Sequence, residues 1–166
     1  VMGTNPSTFR GVNMPVEMVT WSLAVEFCNE LTKQERNLDQ ISLGWAYHLP
    51  TESQWEYACR AGTETSYSFG NKILPTDARW SDGKSPSQSS EVGRYPSNPW
   101  GFHDMHGNVW EWCSDWYGDY PSTVAIDPIG PNAGTKRVRR GGSWLNPAIL
   151  LRSAWRFESA PSDVYS

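Results

Sequence analysis

No run of about 18 or more apolar residues occurs in this chain of 166 residues, so it holds no candidate membrane-spanning helix. It opens on "VMGTNPS" without a signal peptide, as an excised fragment would, and no direct membrane contact is expected of it. Cysteine is scarce: Cys28, Cys59 and Cys113 are an odd number at wide spacing. A disulfide framework needs an even set and a zinc site needs Cys-x-x-Cys pairs, so the three read as small buried apolar side chains. Basic charge is also short, with 14 Lys and Arg against 18 Asp and Glu and a net charge of -4. A nucleic-acid partner selects a basic face, and none is expected here. Internal repeats and low-complexity tracts are missing too; "KSPSQSS", residues 84–90, is at most a flexible loop.

What the chain does have is 10 Trp, 14 Gly and 12 Pro, a mixture that favours a loop-rich fold organised by aromatic packing. The length suits one domain that buries roughly two-thirds of its unfolded surface. Two helices are legible. In "VTWSLAVEFCNELTKQ", Trp21, Ala24, Val25, Cys28 and Leu31 form a stripe of helical period, with Thr20 placed as the N-cap. In "LPTESQWEYACRAG", Thr51 and Gln54 have capping-box spacing, Trp55, Ala58 and Cys59 form the inner face, and Gly62 suits the stop. No helix is expected after Gly62. Residues 63–100 read as long loops with short strands, "GNVWEWCSDWY" alternates with period two, and "KRVRRGGSW" reads as a strand ended by Gly141 and Gly142.

"HLPTESQWEYACRAG", "NPWGFHDMHGNVWEWCSDWY" and "RVRRGGSW…LRSAWRF", in this order, resemble the formylglycine-generating-enzyme (sulfatase-modifying-factor) family. The resemblance runs from Gly3 to Ser166. It implies an α+β, C-type-lectin-type fold: one domain over residues 1–166, with two helices, short antiparallel strands and long loops. It also implies that an N-terminal strand, and a last C-terminal strand with Gly-Phe-Arg, fall outside these residues. The family holds copper-dependent oxidases, iron-dependent sulfoxide synthases and binding proteins, so fold does not decide function. The oxidases place cysteines two and seven positions after the aromatic of the Gly-Gly-Ser-aromatic turn. Counted from Trp144, those positions are Asn146 and Leu151, neither of which is a soft ligand for copper. No copper or iron is expected, and the chain is not expected to be an enzyme.

Other chemistry fares no better. His103 and His106 in "HDMH" lack an evident third ligand, and read as surface or hydrogen-bonding histidines. Ser143 has no nucleophile elbow and no partner base. The resemblance does imply one structural Ca2+, held by the side chains of Asp104 and Glu111 and the carbonyls of Gly107 and Val109. Oxygen donors of that mixture suit a hard cation. The alternative for Glu111 is a buried carboxylate paired with an arginine. A second family calcium site needs an amide where Ala78 stands, and is not carried over.

Residues 145–166 remain. Arg152, Ser153, Ala154, Arg156 and Pro161 match the family's motif, while their neighbours are an arbitrary assortment. Those neighbours are Leu145, Pro147, Ile149, Leu150, Trp155, Phe157, Glu158, Ser159, Ser162, Asp163, Val164, Tyr165 and Ser166. The pattern resembles the variable proteins of diversity-generating retroelements, whose C-terminal stretch is rewritten at template adenines, chiefly in Asn codons. Trp155 and Glu158 cannot arise from an Asn codon and depart from that pattern; Leu151 and Ala154 read as core. Scattered aromatic and aliphatic side chains among small polar ones also make an economical contact surface. The expected function is therefore a non-catalytic, receptor-like domain binding a protein ligand through 145–166, at the cell surface or outside the cell. The alternatives are a family oxidoreductase or its catalytically dead relative, and last a calcium-dependent sugar-binding site, for which the Glu-Pro-Asn motif is missing.

Overall fold

Thr20 starts the first helix. In the computed structural model, which describes residues 1–83 and 86–165, α1 spans Trp21–Asn37. The Thr20 hydroxyl accepts the Leu23 N–H at 3.2 Å, giving a partner to a first-turn donor that would otherwise lack one. The stripe Trp21, Ala24, Val25, Cys28 and Leu31 is only half-buried, and Thr32 is the buried residue of α1. Leu23, Ala24, Phe27 and Cys28 line a groove that residues 1–6 also line.

The second helix, α2, spans Glu52–Arg60 and carries the expected capping box. The Thr51 hydroxyl accepts from Gln54 N–H at 3.2 Å, and the Gln54 side chain accepts from Thr51 N–H at 2.9 Å. Trp55 and Cys59 point into the core. The chain turns left-handed at Ala61 (φ 47°), one residue before the expected Gly62, which continues the turn at φ 86°.

Three antiparallel strands, β1 (Glu111–Trp116), β2 (Arg137–Arg140) and β3 (Phe157–Ser159), form a sheet in the order β1-β2-β3. Glu111 pairs with Arg140 and Trp112 with Arg139; across the other edge Arg139 pairs with Phe157 and Arg137 with Ser159. The strand expected from Gly107 begins only at Glu111. Gly107 (φ 91°) and Asn108 (φ 63°) are left-handed, which breaks extended geometry. Gly107 is also required by space, because a Cβ there would lie 2.3 Å from the Arg79 carbonyl oxygen. Between residues 63 and 100 the described residues form loops, with one bridge from Tyr67 to Gly70.

The apolar core is small: Trp55, Cys59, Met105, Cys113 and Val138, sealed by Ala58 and Tyr117. All three cysteines are free thiols; Cys59 and Cys113 are buried and Cys28 is half-buried. Beside the core lies a charged layer. Arg140 is fully buried, donates to the Ser153 carbonyl at 2.6 Å, and is paired with Glu56 and, at 3.5 Å, with Glu52. No helix of the described residues is long and apolar enough to cross a membrane.

Candidate functional site

The segment after β2 begins with a turn that only glycine fits. Gly141 and Gly142 have φ of 88° and 77°, and a Cβ on Gly142 would lie 2.7 Å from a Leu151 methyl. Trp144 is buried and packs edge-on against Phe9 at 5.7 Å. The Asn146 amide oxygen accepts the Ser143 N–H at 2.9 Å and the Ser143 hydroxyl at 2.8 Å, closing the turn. Asn146 is thus occupied locally, and Leu151 is fully buried against the turn's glycines. Around these two, Leu145 (48% exposed), Pro147 and Ile149 (53% exposed) reach solvent, while Leu150 is half-buried.

Residues 152–165 alternate between pinned and free positions. Ser153 is buried and donates its N–H to the Ser66 carbonyl at 2.9 Å. Arg156 donates to both Glu52 oxygens at 2.9 and 2.6 Å, and to the Gly118 carbonyl at 2.8 Å. The Pro161 carbonyl accepts the Trp21 N–H at 3.0 Å, which ties the segment to the start of α1. Between these anchors Phe157 (41%), Ser162, Val164 and Tyr165 (43%) are exposed. Asp163 is half-buried and accepts from Ala160 N–H and the Tyr165 hydroxyl, each at 3.0 Å. Glu158 pairs with Lys136 at 2.5 Å, and half-buried Trp155 lies 5.5 Å from the Arg152 guanidinium.

Two positions differ from expectation. Ser159 is buried, because in β3 it points opposite Glu158 and its hydroxyl donates to the Glu158 carbonyl at 2.8 Å. It cannot contribute to a contact surface. Ala154 is exposed rather than core: it sits in the turn that the Trp155 N–H closes onto the Arg152 carbonyl at 2.9 Å. Ser166 lies outside the described residues. The remaining positions fall in two neighbourhoods. The first, 145–151, rests on the 66–81 loop through Tyr67 to Ala148 (2.8 Å) and Ser81 to Asn146 (3.0 Å). The second, 157–165, lies along β2 and against Met18, whose N–H reaches the Tyr165 carbonyl at 3.0 Å.

The second neighbourhood contains a residue that sequence reading passed over. Arg139 is 2% exposed, lies 3.7 Å from the Tyr165 ring centre, and lies 5.2 to 5.4 Å from those of Trp110, Trp112 and Phe157. Its Nε and Nη1 find no acceptor among the described residues. Burial lowers its pKa to about 10, only partly offset by Tyr165 and Asp163. The signal was available: consecutive arginines in a strand face opposite sides, so one must meet the interior or a neighbour. Arg139 and Tyr165 are among the residues lining a groove of about 900 Å³, which Val1, Pro6, Leu23, Phe27, Trp110 and Trp112 also line.

Asp104 and Glu111 share a third feature, a second cavity of about 500 Å³ that Val109 also lines and Gly107 does not. Asp104 is left-handed (φ 57°) and accepts the Gly93 N–H at 2.7 Å. Glu111 accepts the Trp55 indole N–H at 2.6 Å and has no arginine partner among the described residues. Burial pushes Glu111 up to about 7, and the Asp104 charge adds to this; burial raises Asp104 as well. Two mutually repelling, partly desolvated carboxylates fit a hard cation that would neutralise both. No group of three or more His, Cys, Asp or Glu side chains able to hold a metal occurs among the described residues. His106 is buried and occupied: its ring takes the Ser68 N–H at 3.0 Å on Nε2 and donates from Nδ1 to the Leu151 carbonyl at 2.7 Å. His103 reaches the Tyr95 carbonyl at 2.9 Å.

Comparison with known proteins gives the fold its family. The sulfatase-modifying factor enzyme 1-like domain profile matches residues 1–165. Mouse formylglycine-generating enzyme is 34% identical over 181 residues, covering 99% of this chain and 45% of its own length. Serine/threonine-protein kinase pkn1 of Chlamydia caviae is 37% identical over 157 residues, covering 92% of this chain but 22% of the kinase. This chain therefore spans less than half the length of either relative. Among solved structures, Treponema denticola variable protein 1 superimposes with a TM-score of 0.87 at 30% identity, covering 99% of this chain and 75% of that one. On the match over residues 1–165 and the identity to formylglycine-generating enzyme, the chain belongs to the sulfatase-modifying factor, or formylglycine-generating enzyme, family.

Proposed function

We propose that the domain is a non-catalytic ligand-binding module, whose exposed side chains at Leu145, Ile149, Phe157, Ser162, Val164 and Tyr165 meet a protein ligand outside the cell. One observation carries the reading: large apolar side chains stand 41 to 53% exposed at Leu145, Ile149, Phe157 and Tyr165, on a frame whose intervening residues are pinned. Rigid frames that hold variable apolar contacts are how binding loops combine large contact area with low ordering cost. The likeness to a protein named as variable supports reading these positions as diversified. Glu158, paired with Lys136, and Trp155, under Arg152, are engaged by neighbours, which fits their being fixed.

Family oxidase chemistry would need two thiolates where Asn146 and Leu151 stand. The Asn146 amide is spent on Ser143, and Leu151 offers no donor atom. The buried thiols do not substitute, because desolvation raises Cys59 to about 12 and Cys113 also upward. One structural Ca2+ belongs to the same proposal, held by the Asp104 and Glu111 carboxylates with the Gly107 and Val109 carbonyls. When bound it supplies positive charge that braces the 104–111 loop against β1, and performs no reaction.

The test is the DNA downstream of the gene. A near-copy of the codons for residues 145–166, differing only at adenines and lying beside a reverse transcriptase, is expected. A locus with no such copy would remove the diversification reading and return the segment to ordinary family divergence.

A further inference from the structure

Residues 104–111 carry the two carboxylates of the cation site and also hold the first half of the exposed segment. The Gly107 N–H donates to the Gly141 carbonyl at 2.8 Å, and the Asn108 carbonyl accepts the Trp144 N–H at 2.9 Å. His106 donates from Nδ1 to the Leu151 carbonyl at 2.7 Å, and a Cβ on Gly107 would lie 2.9 Å from a Leu151 methyl. We propose that Ca2+ held by Asp104 and Glu111 governs the order of residues 141–151, and so how Leu145 and Ile149 are presented to the protein ligand, while residues 157–165 keep their arrangement without it. The inference rests on the cation site and the binding segment proposed above, and adds how the first regulates the second.

The 104–111 loop is under opposing demands. Asp104 and Asn108 are left-handed, at φ of 57° and 63°, a backbone state unfavourable for any residue with a side chain, although Asp and Asn tolerate it best. The Asp104 and Glu111 carboxylates line one cavity, and their charges repel. A divalent cation at the pair removes that repulsion. Without it the repulsion acts on a backbone already in an unfavourable conformation, and the bonds to Gly141, Trp144 and Leu151 open with the loop. The second half is anchored elsewhere. β3 pairs with β2, Arg156 with Glu52 and the Gly118 carbonyl, and the Pro161 carbonyl with the Trp21 N–H. Residues 104–111 meet this half through the rings of Trp110 and Phe157, 5.4 Å apart, a contact that carries no backbone bond.

The experiment is amide hydrogen exchange on the intact protein at neutral pH, in EDTA and across a Ca2+ titration. A loop that releases the cation on opening exchanges more slowly by the factor 1 + [Ca2+]/Kd. The Gly107, Trp144 and Leu150 amides should therefore slow about tenfold at ten times Kd. The Trp21 amide, bonded to Pro161, and those of β3 should change by less than about twofold. Equal slowing of both sets, the mark of a cation that stabilises the whole fold, would overturn the inference. So would slowing confined to 157–165, or none at 141–151. Asp104→Asn with Glu111→Gln should remove the response, and a response that persists there would also overturn it, by placing the cation elsewhere. The readings beneath it fail separately. A melting temperature indifferent to Ca2+ removes the cation site and this inference with it, whereas a raised one with unmoved 141–151 amides removes the coupling alone. The adenine-differing DNA copy tests the display segment without Ca2+.

Discussion

Ile149 and Leu151 stand two residues apart and do opposite things. Leu151 is fully buried where a Cβ on Gly107 or Gly142 would touch it, whereas Ile149 is 53% exposed. Leu151→Ala should cost about 2–5 kcal/mol in urea unfolding, as buried leucines do, and Ile149→Ala less than about 1 kcal/mol. A comparable cost for both would make residues 145–151 core and leave that neighbourhood without a display role. His106 supplies the pH dependence. Burial chiefly, and then the Arg60 charge, lowers its pKa from 6.5 to about 4, outweighing the opposing hydrogen bond to the Leu151 carbonyl. The unfolded chain therefore binds a proton that the folded chain refuses between these values. The resulting stability is complete above pH 6.5 and is lost as pH falls toward 4, by up to about 3 kcal/mol. Urea midpoints at pH 7, 5.5 and 4.5 should show this loss, and His106→Gln should flatten it.

At the scale of elements, α2 does two jobs: it buries Trp55 and Cys59, and it carries Glu52 and Glu56 to the arginines of the neighbouring segments. Thr51→Ala removes the cap and should cost about 1 kcal/mol without altering the display segment. Glu52→Gln is expected to act differently. It weakens the clamp on Arg156 and leaves Arg140 short of a counter-charge, so proteolysis within 152–165 should rise even where the core still melts cooperatively. Unchanged proteolysis would show that the Gly118 and Ser153 carbonyls hold the segment by themselves. This division also explains what was legible in the sequence. Both helices and their caps could be read from Thr20, Thr51 and Gln54, since capping is a local matter of a few residues. So could β2. The late start of β1 could not, because the left-handed backbone at Gly107 and Asn108 answers to the Arg79 carbonyl, 28 residues away for Gly107. The half-buried face of α1 was equally hidden, since periodicity shows which face is apolar but not whether another layer covers it. In the site, Leu145, Pro147, Ile149, Phe157, Ser162, Val164 and Tyr165 are exposed, whereas Leu150, Trp155, Glu158 and Asp163 are half-buried and Ser159 is buried, which periodicity alone does not reveal; Arg139 and its aromatic neighbours emerge only when β2, β3 and residue 165 are seen side by side.

For the whole molecule, the cation at Asp104 and Glu111 is the test of how the loops are braced. Added Ca2+ should raise the melting temperature by several degrees near neutral pH, corresponding to about 1–3 kcal/mol for a moderately saturated site, and EDTA should reverse the gain. Asp104→Asn together with Glu111→Gln should abolish the response; a melting curve indifferent to both reagents removes the site. Copper-loaded protein offered a cysteine-containing peptide should give no aldehyde product, and measurable turnover would restore the oxidase reading. The pinned residues carry one more consequence, written in the gene rather than the fold. A copying process that errs at adenines would strike Arg152, Ser153 and Arg156 as readily as their neighbours if their codons contained adenine. Loss of Arg156 would release Glu52, and loss of a small residue at 153 would crowd a fully buried site. A segment that survives such copying must therefore keep adenine out of the coding positions of its anchors: arginine as CGN rather than AGA or AGG, serine as TCN rather than AGC or AGT, where an adenine at the third base is silent. The synonymous codons of three residues thus become a record of which side chains the fold cannot spare.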